Sequence, residues 1–373
     1  MIIGVPKEIK NGENRVSLIP SSVKTLIEND NIVYIEKGAG EKIGFDDEQY
    51  KAAGAKILDT AAEVYSKSEI IVKVKEIQKE EYELLKNGQT VFTYLHLAVD
   101  QPLLDVLLKK KITAIAYETI QMPDGTLPLL RPMSEICGKM SIQIGARLLE
   151  NKYGGYGKLI GGVPGVHPAK VLIVGAGVVG LNAAKIAVGM GANVVMLDTC
   201  PLKLDNADKI FNGRVNTAIS NKYNLEKYIK NADLVIGAVL IPAIKAPSII
   251  TEDMVKMMKK GSSIIDVSIN QGGITETISE PTTIDEPIFE KHGVVHYAVP
   301  NIPSMVGRTA TISLNNYTLP YILKLSTKGF IAAVKSTPEL YKGINTYQGK
   351  LTNSDIAKSA GYPYSELSML IGF

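Results

Sequence analysis

A run of glycines constrains this chain more than any other feature. Residues 171–174 form a short, uninterrupted apolar stretch. It leads at once into Gly175-Ala176-Gly177-Val178-Val179-Gly180 and an apolar helical run to Met190. A second β-branched stretch, 193–198, ends in Asp198, 18 residues after Gly180. The glycine pattern alone is weak evidence. It becomes specific with a strand before it, a helix after it and an acid closing the next strand. Gly175 permits the tight turn, Gly177 lets backbone approach a pyrophosphate, and Gly180 lets the helix pack on the strand. The helix start adds N–H groups and the positive dipole end to the phosphates. Asp198 is then placed for a ribose diol. A carboxylate there repels a 2′-phosphate, so NAD is favoured over NADP, with Lys203 weakening that preference slightly. The bland alternative is a glycine-rich turn that binds nothing.

Such a unit needs parallel strands on either side, and the chain supplies them. From Lys170 the strands are KVLIVG, NVVMLD, RVNTAIS, DLVIGAVL, SSIIDVSI and GVVHYAVP, with helices between. Six strands is the count of a dinucleotide-binding sheet. The first 120 residues also alternate. MIIGVPKE, NIVYIEKG, AKILD, EIIVKVKE, TVFTYLHL and TAIAYETI read as strands. SSVKTLIEND, DEQYKAAG, TAAEVYSKS, KEEYELLK and QPLLDVLLKKK read as helices. Alternation of this kind predicts an α/β fold with crossover helices. The unbroken apolar runs IIV and AIAY predict strands covered on both faces. Ser134 is a candidate N-cap for a long helix over 135–150. After Asn301 the chain becomes helical, ending in about 40 residues of mixed polar helix.

Composition excludes several function classes. At about 150 residues per domain, 373 residues imply two or three domains. A 45% hydrophobic and 21% charged chain is globular rather than disordered. Lys+Arg of 41 against Asp+Glu of 38, net +3, argues against a charge-driven nucleic-acid binder. The most apolar stretch, 171–197, carries Lys185, Asn182 and five glycines, so it reads as core rather than a membrane span. The opening MIIGVPKEIKNGENR is too polar for a secretory signal, so the expected location is the cytoplasm. Two cysteines, Cys137 and Cys200, exclude a disulfide scaffold and a cysteine metal cluster. No required metal is expected.

The N-terminal unit places polar groups near strand ends, where ligands bind in open α/β sheets. Arg15 follows the first strand and offers a planar fork for a carboxylate. Lys75 closes the fourth and suits a carbonyl or carboxylate oxygen. His96 closes the fifth and exchanges protons near neutral pH. Together they suggest a small keto- or amino-acid substrate. Singly, each has a bland reading: a solvated strand-end lysine, a surface arginine, a structural histidine. His167, His292 and His296 are read as structural.

These segments are familiar as a set. GVPKEIKNGENRVSLIP, VKVKE, FTYLHLA, AYETI, LPLLRPMSEICGKMS, GGVPGVHPAKVLIVGAGVVGLNAAKIAVGMGA, ADLVIGAVLIPAIKAP and VPNIPSMV cover nearly the whole chain. They resemble the alanine dehydrogenase family, which includes the NAD-binding subunit of proton-translocating transhydrogenase. The resemblance implies two Rossmann-like, doubly wound domains. The NAD domain, 131–304, is inserted into a discontinuous substrate domain, 1–130 plus 305–373, with a cleft between. It implies Arg15 and Lys75 as substrate contacts and His96, Asn270 and Lys75 as the catalytic set. Implied cofactor contacts are Ser134, the Gly175–Gly180 loop with Ala176, Val178 and Val179, Asp198, Lys203, Ser220, Val239, Leu240, Val267, Ile269, Asn270 and Asn301. The implied reaction is reversible: L-alanine, NAD and water give pyruvate, ammonia and NADH. The implied assembly is a homohexamer with no membrane or nucleic-acid partner.

One position departs from the family. Asn270, in IIDVSINQGG, stands where alanine dehydrogenases normally carry Asp. Asn keeps the shape but lacks the charge and cannot accept a proton. Loss of such a partner commonly costs roughly 10²–10⁴-fold in rate. Three explanations stand open: a natural enzyme that tolerates Asn, a deliberate inactivating change, or a natural protein of weakened or altered activity. Asp266, four residues earlier on the same strand, points to the same face as Asn270 by parity, and could partly substitute only by reaching the cleft, which is not expected. The alternatives to an alanine dehydrogenase are the soluble NAD-binding module of a transhydrogenase, a non-catalytic NAD-binding relative, and an opine-type dehydrogenase acting on a longer amino acid.

Overall fold

A computed structural model describes residues 1–239 and 248–372, with backbone only for Asn270 and Gln271. The chain divides into two compact units, Met1–Met133 with Ser304–Phe373, and Ser134–Pro303. The first unit opens with β1 (Ile2–Val5), β2 (Ile32–Glu36), β3 (Lys56–Leu58), β4 (Ile70–Val72), β5 (Thr90–Thr93) and β6 (Thr113–Ala116). The second holds β7 (Lys170–Val174), β8 (Asn193–Asp198), β9 (Val215–Ile219), β10 (Leu234–Gly237), β11 (Ser263–Asp266), β12 (Ile288–Lys291) and β13 (Val294–Tyr297). The chain then returns to the first unit with β14 (Ile344–Tyr347) and β15 (Lys350–Leu351).

Both sheets have the doubly wound order. In the first, β3-β2-β1-β4-β5-β6 are parallel, and β14 and β15 extend the β6 edge antiparallel. In the second, β9-β8-β7-β10-β11-β13 are parallel, and β12 closes the edge antiparallel to β13. This is the order of dinucleotide-binding sheets, with a topological switch beside the first strand of each unit. The central strands β4, β6, β10 and β11 are buried throughout, as expected for strands covered by helices on both faces.

Four local expectations are corrected. The helix expected from residue 135 begins at Arg131, so Ser134 lies in its first turn and is not its cap. Pro132 explains the earlier start, since the first turn tolerates a missing N–H. The segment KEEYELLK forms a 3₁₀ helix, Lys79–Leu84, instead of an α-helix. The C-terminal region contains the β14–β15 hairpin among its helices. Strand β12 was not anticipated. These short strands, IFEK, INTY and KL, mix polar with apolar residues and lack the unbroken apolar run that marks β4 and β6. Pairing to an existing sheet edge makes them strands.

The return of the chain is stitched by polar groups. The helix Gly307–Lys328 carries Asn315, fully buried. Its Nδ2 donates to the Ser17 carbonyl at 3.0 Å, and its Oδ1 accepts from Ile19 N at 3.2 Å and from Ser22 Oγ. Thr311 Oγ1 accepts from Val16 N at 3.2 Å. Together they hold residues 16–22, which run into the helix Pro20–Glu28. Asn315→Ala would strand buried backbone groups. It is expected to cost about 2–4 kcal/mol, read as a lower urea midpoint by circular dichroism.

Candidate active site

The second unit gathers its glycine-rich features at the carboxyl edge of its sheet. After β7, Gly175 takes φ +112°, a left-handed conformation, and donates to the Leu197 carbonyl at 2.7 Å. A Cβ at Gly175 would lie 2.4 Å from the Ala238 carbonyl oxygen, and one at Gly180 would lie 1.9 Å from that of Gly175. At Gly177 a Cβ would meet nothing within 4 Å. Gly175 and Gly180 are therefore glycines because protein crowds them. Gly177 instead borders open space at the N-cap of the helix Val178–Gly189, with no side chain capping it. That open cradle at a positive helix end fits a phosphate group.

Asp198 ends β8, almost fully buried. Its Oδ2 accepts from Ala176 N at 2.8 Å and its Oδ1 from Cys200 N at 2.9 Å. The acid thus ties the glycine loop to the next strand before any ribose arrives. Each oxygen retains a second acceptor site. Lys203 Nζ stands 3.9 Å from Oδ2 and balances its charge. Ser220 and Val239, both half-buried, follow β9 and β10. Asn301 follows β13 with φ +61°. Ser134, Val178 and Val179 sit in the first turns of their helices. Leu240 lies outside the described residues.

Strand β11 ends at Asp266 and continues as a 3₁₀ turn, Val267–Gln271. Asn270 is therefore not on the strand, and the parity argument relating it to Asp266 fails. Asp266 is 1% exposed and wholly engaged. It accepts from Ser268 N at 3.0 Å, Ile274 N at 2.8 Å and Thr275 N at 3.1 Å. Burial raises its pKa, and these donors pull it back. It holds the turn that carries Val267, Ile269 and Asn270. The Asn270 side chain lies outside what is described. His296 is buried, its Nδ1 donating to the Val294 carbonyl at 2.9 Å and its Nε2 accepting from Thr277 Oγ1 at 2.7 Å. Burial pushes its pKa down to about 4, which keeps it neutral.

In the first unit, Arg15 and Lys75 come from the loops after β1 and β4, the two strands at the topological switch. Strand β4 ends at Val72, so Lys75 lies just past the ladder. Arg15 is 2% exposed. Glu13 grips it from both oxygens: Nε donates to Oε1 at 2.7 Å and Nη2 to Oε2 at 2.6 Å. Nη1 lies 3.0 Å from Met133 Sδ. Burial works against the Arg15 charge, but Glu13 outweighs it and holds the group charged. Burial first, then Arg15, pull the Lys75 pKa below the ordinary lysine value. Arg15 thus acts on Lys75 as a second cation of the same unit. Beneath them Lys73 is fully buried, its Nζ 2.9 Å from Glu81 Oε1 and 3.2 Å from Glu8 Oε2. Glu8 Oε1 in turn accepts from Val74 N at 2.6 Å and Lys75 N at 3.3 Å.

His96 follows β5 with an exposed ring and a left-handed backbone, φ +53°. Tyr94 stacks near it, ring centroids 6.2 Å apart, and is within electrostatic reach of Arg15. The Tyr94 hydroxyl donates to the Leu129 carbonyl at 2.5 Å. Sequence reasoning missed Glu8, Glu13, Tyr94, Glu118 and Met133. Only Glu13, two residues from Arg15, had a signal in the sequence. Among the described residues, no three His, Cys, Asp or Glu cluster to hold a metal ion. Nor is any helix among them long and apolar enough to cross a membrane.

Comparison with known proteins gives a consistent picture. Residues 4–137 match the family described as alanine dehydrogenase/PNT, N-terminal domain, and residues 141–354 match its C-terminal domain. The alanine dehydrogenase of Methanococcus maripaludis is 56% identical over 365 residues, covering 98% of each chain. That of Staphylococcus haemolyticus is 52% identical over 367 residues, again covering 98% of each. A solved L-alanine dehydrogenase superposes with a TM-score of 0.94 at 47% identity, covering 97% of this chain and 99% of its own. A transhydrogenase from Sinorhizobium meliloti, 23% identical, shares the fold with a TM-score of 0.81 over 95% of this chain and 99% of its own.

Gly180→Ala tests the glycine loop. The 1.9 Å approach leaves no room for a methyl group, so the turn must shift. NADH affinity, measured by fluorescence titration, is expected to fall at least about tenfold, roughly 1.4 kcal/mol. Circular dichroism serves as the control for folding.

Proposed function

This chain belongs to the alanine dehydrogenase/PNT family, and we propose that it interconverts L-alanine and pyruvate with NAD as cofactor. The observation that carries this reading is the placement of Arg15, Lys75 and His96 on the loops after β1, β4 and β5 of one sheet, with Arg15 buried and held by Glu13. Identity above 50% over nearly the full length of named alanine dehydrogenases supports it. The transhydrogenase likeness, at 23% identity, speaks to fold alone.

Gly175, Gly177, the start of the helix Val178–Gly189 and Asp198 would hold the dinucleotide. NAD, when bound there, supplies the acceptor for the hydride leaving Cα. The protein's own residues do the remaining work. Arg15, kept charged by Glu13, and Lys75 take the substrate carboxylate, which fixes the orientation of Cα. Positioning of this kind supplies much of a rate enhancement. Loss of hydride leaves an iminium carbon on the substrate, and water adds to it. Neutral His96 takes the proton of that water, then returns one as ammonia departs and the carbonyl forms. In the reverse direction His96 donates and accepts in the opposite order. An amide at position 270 can neither accept a proton nor supply a negative charge, so the proton transfer is assigned to His96. A cytoplasmic homohexamer is the assembly that the family resemblance implies for this enzyme.

NADH absorbance decay with pyruvate and ammonium is the direct test, run on this chain and on Asn270→Asp. Turnover by either form is expected, and faster turnover by the Asp form, within the roughly 10²–10⁴-fold range of a lost acid–base partner. Absence of turnover by both removes the reading.

The Lys75 shift gives a pH dependence. Carboxylate binding needs the charged form. Because Lys75 titrates below an ordinary lysine, that charge is lost as pH rises, earlier than on an exposed lysine. KM for pyruvate is expected to climb on the alkaline side. In Lys75→Arg, which stays charged, the climb should vanish.

A further inference from the structure

We propose that Glu118 is the positioning residue that fixes His96 for proton transfer, an inference that rests on the acid–base role given to His96 above. His96 is one of few non-glycine residues here with a left-handed backbone. Such a conformation is strained in a residue with a side chain and persists only where its surroundings impose it. The surroundings are visible. Glu118 sits in the 3₁₀ turn Tyr117–Thr119, directly after β6, the strand beside β5. Its Oε1 accepts from His96 N at 2.6 Å and from Leu95 N at 3.1 Å, and its Oε2 accepts from Leu95 N at 3.2 Å.

One carboxylate thus clamps two consecutive backbone N–H groups at the end of β5. Charge-assisted bonds of this kind are about twice as strong as neutral ones. The His96 carbonyl then accepts from Val99 N at 3.1 Å and closes the turn. No bond is shown from Glu118 to the imidazole, so its action runs through the backbone. Without the clamp the two N–H groups lose their acceptor, and the left-handed conformation loses what imposes it. The ring would swing with its Cα. The neighbouring strand therefore sets where the imidazole points, while Arg15 and Lys75, from other loops, hold substrate independently.

The test compares native chain, Glu118→Ala, Glu118→Gln and His96→Ala in reductive amination of pyruvate. A positioning role predicts that kcat falls about tenfold or more in Glu118→Ala, the scale of misplaced acid–base groups. KM for pyruvate and affinity for NADH should stay within about threefold of native, whereas general unfolding would move them together. Glu118→Gln keeps one amide oxygen as acceptor, is expected to fall between the two, and serves if the Ala variant does not fold. A kcat within about twofold of native in the folded variants overturns the proposal. If His96→Ala leaves kcat unchanged, the role of His96 itself fails, and the proposal with it. If native chain shows no turnover, carbethoxylation of His96 by diethyl pyrocarbonate, followed by peptide mass mapping, decides. A rate altered several-fold in Glu118→Ala supports the clamp, and an unaltered rate overturns it.

Discussion

A parallel strand cannot be joined to its neighbour by a tight turn. The chain must cross over, and each crossover leaves the carboxyl end of a strand opening into a loop at one edge of the sheet. That constraint governs both units. In the second it places Gly175–Gly180, Asp198, Ser220, Val239 and Val267–Gln271 along one edge. In the first it delivers Arg15 after β1, Lys75 after β4, His96 after β5 and Glu118 after β6. The same strand order in both sheets puts the switch beside β1 and beside β7, where adjacent loops run to opposite faces.

Loops at strand ends have backbone N–H groups that no ladder satisfies, and this protein satisfies them with carboxylates. Glu8 holds Val74 and Lys75, Glu118 holds Leu95 and His96, Asp198 holds Ala176 and Cys200, and Asp266 holds Ser268, Ile274 and Thr275. Each such bond contributes about 1.5–3 kcal/mol, and more is lost when a buried donor is stranded. Glu13 does the same for a side chain, gripping the Arg15 fork. The acids thus brace the strand-end loops within each unit, and Arg15, Lys75 and His96 lie on the braced loops of the first. Burial first, and Arg15 second, lower the Lys75 pKa.

Legibility followed the range of the forces involved. The β7–Gly175–helix–β8 unit was readable because its requirements are local: a turn, a helix start and an acid at fixed spacing. The long parallel strands were readable because burial on both faces makes unbroken apolar runs. The helix expected from residue 135 started at Arg131 because Pro132 carried a start signal that Ser134 obscured. Strands β12, β14 and β15 were invisible because IFEK, INTY and KL carry no unbroken apolar run.

The sequence by itself determined the α/β class, the glycine loop and the identity of the charged groups at the strand ends. It also determined that an amide, and not a carboxylate, stands at position 270. Each of these is written in residues close together in the chain, or in the chemistry of a single side chain. Only the tertiary structure decided the distant partners: Glu8 on Lys73, Glu118 on the His96 backbone, and Asn315 across almost 300 residues to Ser17. It also decided that β11 ends at Asp266, which separates that acid from Asn270. The physical reason is the same throughout. A hydrogen bond or ion pair depends on distances of a few ångströms in space. Sequence separation encodes such distances only within a turn or a helix.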